Sequence, residues 1–550
     1  MLPTKQQAMT TIWLHWHGLD GWNYYFLLKF ALLWYGYLNF HPFLNLVFLA
    51  FLLCPVPSVF LHRCRNWLAI PIGLALFYHD TWLPNIDSLL SQGTNILSFS
   101  PAYLLELLNR FINWQMIGAA FVLLVAYLFV SQWIRMTVLT VIALSWLNVL
   151  DIYTPDGRVT PPSSKPIPNQ PVVTTAVKPA TSQFNHQLPP TNANLSAYLN
   201  HFYTQEKNRH IVFPSALAAD AQPFDILIIQ ICSLSWADLD KTHLRNHPLW
   251  RQFDIVFNEF NSAASYSGPA MIHLMRANCG QTPHAALYTP APAECYLMNN
   301  LANLGFTAEL MLNHNGAFGD FLRELHQDSD LENVPLISQA GIKQSMLAFD
   351  DSPIYNDAEL LNRWLKQKQQ RVGGRSATYY NSITLHDGNR SISDGKFIAY
   401  APQAQQLLDQ LASFLTTLEQ SGRKVLVIEV PDHGANLTGD KLQMPGLRDI
   451  PSPALTHVPV GIKLIGMKAA KPKTTLQIDN PSSYLAIAEL VKRLLDGKLF
   501  NQSQIDWQAL TDKLPQTAYV AENEGIKVIE YQGKFYIQLK DDPSWIPYPF

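Results

Sequence analysis

A sharp change of composition along the chain limits the folds open to it. Residues 1–153 are dominated by apolar and aromatic side chains, in runs such as FLLKFALLWYGYL and FVLLVAYLFV, whereas the remainder mixes apolar and charged segments as water-soluble domains do. A helix of roughly 20 apolar residues crosses a bilayer. Five stretches approach that length: Trp22–Leu38, Pro42–Phe60, Trp67–Tyr78, Met116–Val130 and Val138–Tyr153, the third interrupted by Pro71. The sequence thus predicts an N-terminal α-helical transmembrane bundle of about five spans over residues 1–153. The first apolar stretch is long and lacks a small-residue cleavage pattern, so no cleavable signal peptide is expected.

Basic residues in short loops mark the cytoplasmic side. His62, Arg63 and Arg65 fall between the second and third stretches and Arg135 between the fourth and fifth. Five spans with these loops inside place everything after Tyr153 outside. The loop of about residues 84–113 also faces outside, and within it Ala102–Trp114 has helical apolar spacing. That segment could lie on the outer membrane surface or pack on the spans. Lys29, inside the first stretch, is a functional charge, a snorkelling one, or a partner of another span.

Residues 154–194 are proline-rich and lose apolar periodicity, as expected of an extended tether, with an ordered strap as the alternative. From residue 195 to 550 strands and helices alternate. Asp225–Ile231, Lys424–Val430 and Val458–Ile465 read as buried strands; Asp357–Gln370, Ala404–Leu418 and Ser483–Leu495 have helical spacing. Ile526–Tyr531 and Lys534–Leu539 flank Gln532-Gly533 as a hairpin. The expectation is an α/β sandwich around a largely parallel sheet. A net charge of −3 and the absence of a basic stripe exclude a nucleic-acid partner.

In open α/β sheets sites form at the carboxyl ends of strands. The strand DILIIQI runs into Cys232, and KVLVIEV into Pro431, Asp432, His433 and Gly434. Thiolate, carboxylate and imidazole together suit zinc rather than calcium or magnesium. Taken singly, Cys232 reads as a core cysteine and Asp432-His433-Gly434 as a polar turn. In NSAASYSGPA, Ser267 precedes Gly268 and Pro269 at an expected helix start, where the helix N-terminus favours phosphate, or where a serine merely caps. The five cysteines include Cys279 and Cys295, close enough in sequence to bridge in an oxidising compartment or to stand as separate thiols.

Together, Cys232, Ser267 and Asp432-His433 resemble the alkaline phosphatase superfamily, in which a ligand ends the first strand, a hydroxyl nucleophile opens a helix and an Asp-His pair follows a late strand. Met271 stands where sulfatases of that superfamily carry an arginine, which disfavours a sulfatase. The five-span anchor resembles the phosphoethanolamine transferases, and Cys232 with Ser267, SYSGPA and GLRDIPSP resembles the branch that decorates bacterial cellulose. One position departs from that branch, which has glutamate where this chain has Asp432.

The resemblance implies an alkaline-phosphatase-like domain with Zn2+ held by Cys232, Ser267, Asp432 and His433. It implies catalytic roles for Ser267, Tyr266, His386 (in YYNSITLHDG) and Arg448 (in GLRDIPSP), and a disulfide between Cys279 and Cys295. Without it, Tyr266 reads as packing, His386 as a loop histidine and Arg448 as a surface ion pair. The implied reaction carries phosphoethanolamine from phosphatidylethanolamine to cellulose through a serine ester, beside cellulose synthase and secretion subunits. The implied location is the bacterial inner membrane with the catalytic domain in the periplasm. Transfer to lipid A or another envelope glycan, or a non-catalytic scaffold of the secretion machinery, are the competing expectations.

Overall fold

The structure, a computed structural model, describes residues 18–35, 37–38, 40–56, 59–81, 101, 103–106, 114–153, 185–371, 373–539 and 544–548. Among the described residues, the N-terminal region contains the helices α1 Trp22–Trp34, α2 Pro42–Leu53, α3 Val59–His79, α4 Trp114–Val130 and α5 Met136–Tyr153. Helices α1, α2, α3 and α5 close over a small apolar core that includes Phe26, Phe48, Leu49, Leu52, Ala69 and Leu144. Polar bonds cross it: Asn148 Nδ2 donates to the Pro42 carbonyl (3.0 Å) and Thr140 Oγ1 to Asn23 Oδ1 (3.3 Å). Lys29 meets a partner element, its Nζ lying 2.5 Å from Asp80 Oδ2 with both side chains fully buried.

Among the described residues no helix is long and apolar enough to cross a membrane. Helices α1 and α2 have 13 and 12 residues, short of the roughly 20 a bilayer needs. The five expected spans are therefore not established by the helices. Helix α3 also corrects the sequence reading: it starts at Val59 rather than Trp67, takes in His62, Arg63 and Arg65, which were expected in a loop, and continues through Pro71. Of the segment Ala102–Trp114, only 103–106 and 114 are described; Tyr103 packs on Phe349 (5.9 Å between centroids) and donates to Asp387 Oδ2 (3.2 Å). The loop residues 84–100 and the tether residues 154–184 lie outside the described residues.

The remainder is built on a seven-stranded sheet. Its strands, with a separate two-stranded ribbon β4–β5, are β1 Asp225–Ile231, β2 Ile255–Asn261, β3 Phe306–Leu312, β4 Gln344–Leu347, β5 Pro353–Tyr355, β6 Arg375–Ser382, β7 Val425–Glu429, β8 His457–Ile465 and β9 Leu476–Ile478. The spatial order is β3-β6-β1-β7-β8-β2-β9. Strands β3, β6, β1 and β7 run parallel, and β8 is antiparallel to both its neighbours.

Helices cover both faces, which is why apolar residues follow one another through Ile226–Ile229 of β1 instead of alternating with polar ones. Ile226 and Ile228 pack into one core, with the helices Ser267–Met275 and Tyr484–Leu494. Leu227, Ile229 and Ile231 pack into the other, with Asp357–Gln370 and Tyr400–Gln420. A four-stranded antiparallel sheet, Val520–Asn523, Ile526–Tyr531, Lys534–Gln538 and Trp545–Pro547, follows. The helix Asn192–Glu206 packs on it, starting three residues before 195 with Thr191 as its cap. Tyr531 and Gln532 donate to the carbonyls of Leu188 and His186, so the end of the proline-rich segment is strapped to this sheet.

Candidate active site and metal centre

Parallel pairing of β1 with β7 sets Ile229 beside Glu429, and the two chains stay paired past the strand ends, bridging Cys232 to His433. The Cys232 amide donates to the Ser382 carbonyl (2.8 Å), the Leu234 amide to the His433 carbonyl (2.6 Å) and the Asp432 amide to the Ile231 carbonyl (3.2 Å). Register thus brings together side chains two hundred positions apart. Cys232, Asp432 and His433 are fully buried, and their ligand atoms lie within 4.8 Å of one another.

Ser267 opens the helix Ser267–Met275, whose cap position is Tyr266; no side-chain cap bond is made there. The serine hydroxyl turns instead to the cluster: 2.6 Å to Asp432 Oδ2, 3.3 Å to Cys232 Sγ and 3.3 Å to His433 Nε2. Four donor atoms of the types zinc prefers converge on one point, at the positive end of a helix.

Outer partners fix each donor. His433 Nδ1 donates to the Gly434 carbonyl (2.8 Å), which leaves the Nε2 lone pair facing Ser267, the arrangement found around metal-bound histidines. Asp432 Oδ1 accepts from the His433 amide (2.7 Å), leaving Oδ2 for the cluster. Burial, then the neighbouring Asp432, push the Cys232 thiol up to about 12, opposed by Arg448. Burial raises the Asp432 carboxyl to about 7, and burial with Arg448 lowers His433. The residues present fit a bound divalent cation: it would supply the positive charge these buried donors otherwise lack.

The remaining expected residues stand around this cluster. Arg448 Nη1 donates to Ser233 Oγ (3.3 Å), next to Cys232, and its guanidinium lies 5.9 Å from the centroid of the Tyr266 ring. The Tyr266 hydroxyl donates to Asp449 Oδ1 (2.7 Å), so this tyrosine braces the arginine loop. His386 sits on the loop after β6, stacked on Phe349 at 4.4 Å; its Nδ1 donates to the Asp387 carbonyl (2.7 Å), leaving Nε2 as the acceptor. Burial and then Arg448 hold His386 down at about 4, so it is neutral at pH 7. A buried network positions its loop: Asn313 Nδ2 donates to Ser382 Oγ and Thr384 Oγ1, and Asn389 Nδ2 to the Ile383 carbonyl.

Two neighbours escaped the sequence reading. His314, after β3, accepts from the Gly316 amide on Nδ1 and donates from Nε2 to Asn381 Oδ1 (2.9 Å). The Glu324 carboxylate lies 2.7 Å from where a Cβ on Gly268 would stand, which puts an acid beside the first turn of the Ser267 helix. The only sequence signal for either was a His or Glu near a glycine, which is common in loops.

The sequence model of the cellulose biosynthesis protein BcsG N-terminal domain matches residues 22–149, and that of the BcsG C-terminal domain matches residues 179–545. The cellulose biosynthesis protein BcsG of Escherichia coli (strain K12) is 52% identical over 562 residues, covering 99% of this chain and 99% of that protein. Its counterpart from Salmonella typhimurium (strain LT2) is 53% identical over 550 residues, covering 98% of each. Among solved structures, the integral membrane lipooligosaccharide phosphoethanolamine transferase A of Neisseria meningitidis is 13% identical, covers 88% of this chain and 95% of its own, and has a TM-score of 0.43.

Proposed function

The chain belongs to the family of the cellulose biosynthesis protein BcsG, and from that premise we propose that it is a zinc-dependent phosphoethanolamine transferase acting on cellulose. The observation that carries the reading is the Ser267 hydroxyl, set at a helix N-terminus within 3.3 Å of a thiol, a carboxylate and an imidazole that could hold a metal. Bound zinc would depress the pKa of that hydroxyl and draw charge from a phosphoryl oxygen.

Ser267 Oγ attacks the phosphorus of phosphatidylethanolamine and diacylglycerol leaves, the serine's proton ending on the departing alkoxide. Phosphoethanolamine is then held as a serine ester. A sugar hydroxyl, the glucose 6-hydroxyl of cellulose, attacks next. His386, neutral and with its Nε2 lone pair available, takes that hydroxyl's proton as the bond from phosphorus to Ser267 Oγ breaks, and the proton passes to the departing serine oxygen, restoring the hydroxyl and the neutral imidazole. Arg448, braced by Tyr266, faces the phosphoryl oxygens. Glu324, beside Gly268, supplies the counter-charge for the ethanolammonium.

The helical region anchors the enzyme in the bacterial inner membrane where its lipid donor resides. Trp67, Phe121, Phe129 and Trp146 are among its exposed apolar side chains; among the described residues, only Val212, Tyr288, Ile392 and Phe397 are large, apolar and exposed elsewhere. A surface of that kind marks a membrane or partner interface. The Cys279–Cys295 disulfide supports a periplasmic position for the domain. The family's name supports cellulose over lipid A as acceptor and subunits of the cellulose machinery as neighbours.

The test uses the full chain with phosphatidylethanolamine and no glycan. Mass spectrometry should find phosphoethanolamine on the peptide containing Ser267, discharged by added cello-oligosaccharide and absent in Ser267→Ala. Retained turnover in Ser267→Ala, or a label on Ser265 or Tyr266, would refute the assignment.

A further inference from the structure

A second cluster of metal-ligating side chains lies outside this site, at one end of the helical region. His41 caps the start of α2, and His79 and Asp80 end α3. His41 Nδ1 lies 2.9 Å and His79 Nδ1 3.7 Å from the same oxygen, Asp80 Oδ1, and the two imidazoles are 4.4 Å apart between centroids. All three ligand atoms fall within 4.8 Å of one another. The other carboxylate oxygen, Oδ2, is held by Lys29 Nζ (2.5 Å) and Asn45 Nδ2 (2.7 Å). One oxygen is thus anchored from behind, while the other accepts from the His41 amide (3.3 Å) and faces two ring nitrogens.

An ion pair alone does not account for this. Lys29 already neutralises Asp80, and Asp80 needs no imidazolium, let alone two in contact, which would repel each other. Two imidazoles with a fixed carboxylate oxygen form a three-ligand set of the kind that binds zinc, and outer bonds to the carboxylate are the usual support of such ligands. The geometry points to a divalent transition-metal site, zinc by its nitrogen and oxygen donors, held by His41, His79 and Asp80. Asp80 is fully buried, but the side chains of His41 and His79 are 24% and 53% exposed, so the metal enters from solvent and keeps an open coordination position. Lys29 cancels the carboxylate's charge, which makes this a weaker site than the Cys232 cluster.

The site would pin the start of α2 to the end of α3, opposite the end of α3 that carries Arg63 and Arg65. In the orientation proposed above, that is the outer end of the bundle.

The test is zinc and cobalt titration of the full-length chain in detergent micelles. Wild type should take up one zinc beyond that accounted for by the Cys232 site. His41→Gln/His79→Gln should lose that equivalent, and His79→Gln alone should weaken it by more than about tenfold. Cys232→Ser should leave it intact. Cobalt there should give visible bands that vanish in the histidine variant, without the thiolate charge-transfer band of the Cys232 site. Equal zinc uptake by wild type and a folded His41→Gln/His79→Gln chain, or a cobalt spectrum unchanged by it, would overturn the proposal. His79→Gln, altering a half-exposed side chain, keeps the test valid if the double variant does not fold. Loss of no zinc in Cys232→Ser would instead count against the catalytic reading and leave this one standing.

Discussion

Gly434→Ala puts a methyl group into the space between the His433 turn and the loop after β1. An added Cβ would stand 2.5 Å from Ser235 Oγ, 2.7 Å from Ser235 Cβ and 2.8 Å from Asp238 Oδ2. Neither side can yield freely. The turn is pinned by the Gly434 amide on the Leu455 carbonyl (2.7 Å) and the Leu234 amide on the His433 carbonyl (2.6 Å). Opposite it, Ser235 and Asp238 form a capping box, and Asp238 also accepts from the Ala435 amide (2.7 Å). Overpacking of a buried site costs about 1–3 kcal/mol, and breaking the cap adds about 1 kcal/mol. The expected loss is therefore about 3 kcal/mol of stability. Zinc affinity should fall with it, because the Gly434 carbonyl orients His433.

The assay is urea unfolding followed by tryptophan fluorescence, with zinc competition against a chromogenic chelator. Ser235→Gly removes two of the three contacts, so Ser235→Gly/Gly434→Ala should cost less than the sum of its parts by about 1 kcal/mol. A Gly434→Ala protein within about 0.5 kcal/mol of wild type, with unchanged zinc affinity, would show that the turn relaxes freely and would refute the reasoning.

Glu324→Gln should weaken use of phosphatidylethanolamine about tenfold, as expected for losing one partly exposed ammonium contact, without impairing phosphatidylglycerol turnover; equal loss on both donors in a competition assay would place Glu324 elsewhere in the mechanism. Cys279→Ser/Cys295→Ser should cost about 3 kcal/mol, the chain-entropy value for a loop of this size; the disulfide spans a separation of 16 residues, and urea midpoints identical to wild type under non-reducing conditions would contradict it. Burial, the leading cause, holds His273 at about 3 and His314 at about 4. The unfolded chain therefore binds protons first as pH falls below about 6.5, and folding stability drops between there and about 3. At pH 5 each histidine should remove about 2 kcal/mol; a flat urea midpoint from pH 7 to 5 would disprove their neutral burial.

Strands β1 and β7 were legible because burial on both faces writes the apolar runs Ile226–Ile229 and Val425–Ile428 into them. Strand β6, central in the same sheet, escaped because it reads RSATYYNS. Its polar groups are satisfied inside the fold: Ser376 donates to Asp225 Oδ1 (2.7 Å), and Thr378 donates to Glu309 and accepts from Trp364 Nε1. No periodicity announces a strand whose polarity is matched by neighbours distant in sequence. The four cluster residues were nameable one by one, since each follows a strand or opens a helix. Their convergence depends on the β1–β7 register, which no local pattern encodes. Tyr266 shows the limit: its place beside Ser267 is sequence information, but that its hydroxyl turns to Asp449 is not.

The Cys279–Cys295 bridge also bears on how the domain is born. If the chain is threaded outward from its amino end, Cys232 reaches an oxidising compartment as a bare thiol long before Asp432 and His433 exist to claim it. Cys279 arrives next, and a wrong bond between the two would block the thiol of the proposed metal site until exchange freed it. The correct loop, of 16 residues, is about three times shorter than the wrong one, which favours its closure about fivefold. On the proposed reading the bridge would act as a decoy: by consuming Cys279 early, it would spare the thiol of the proposed metal site.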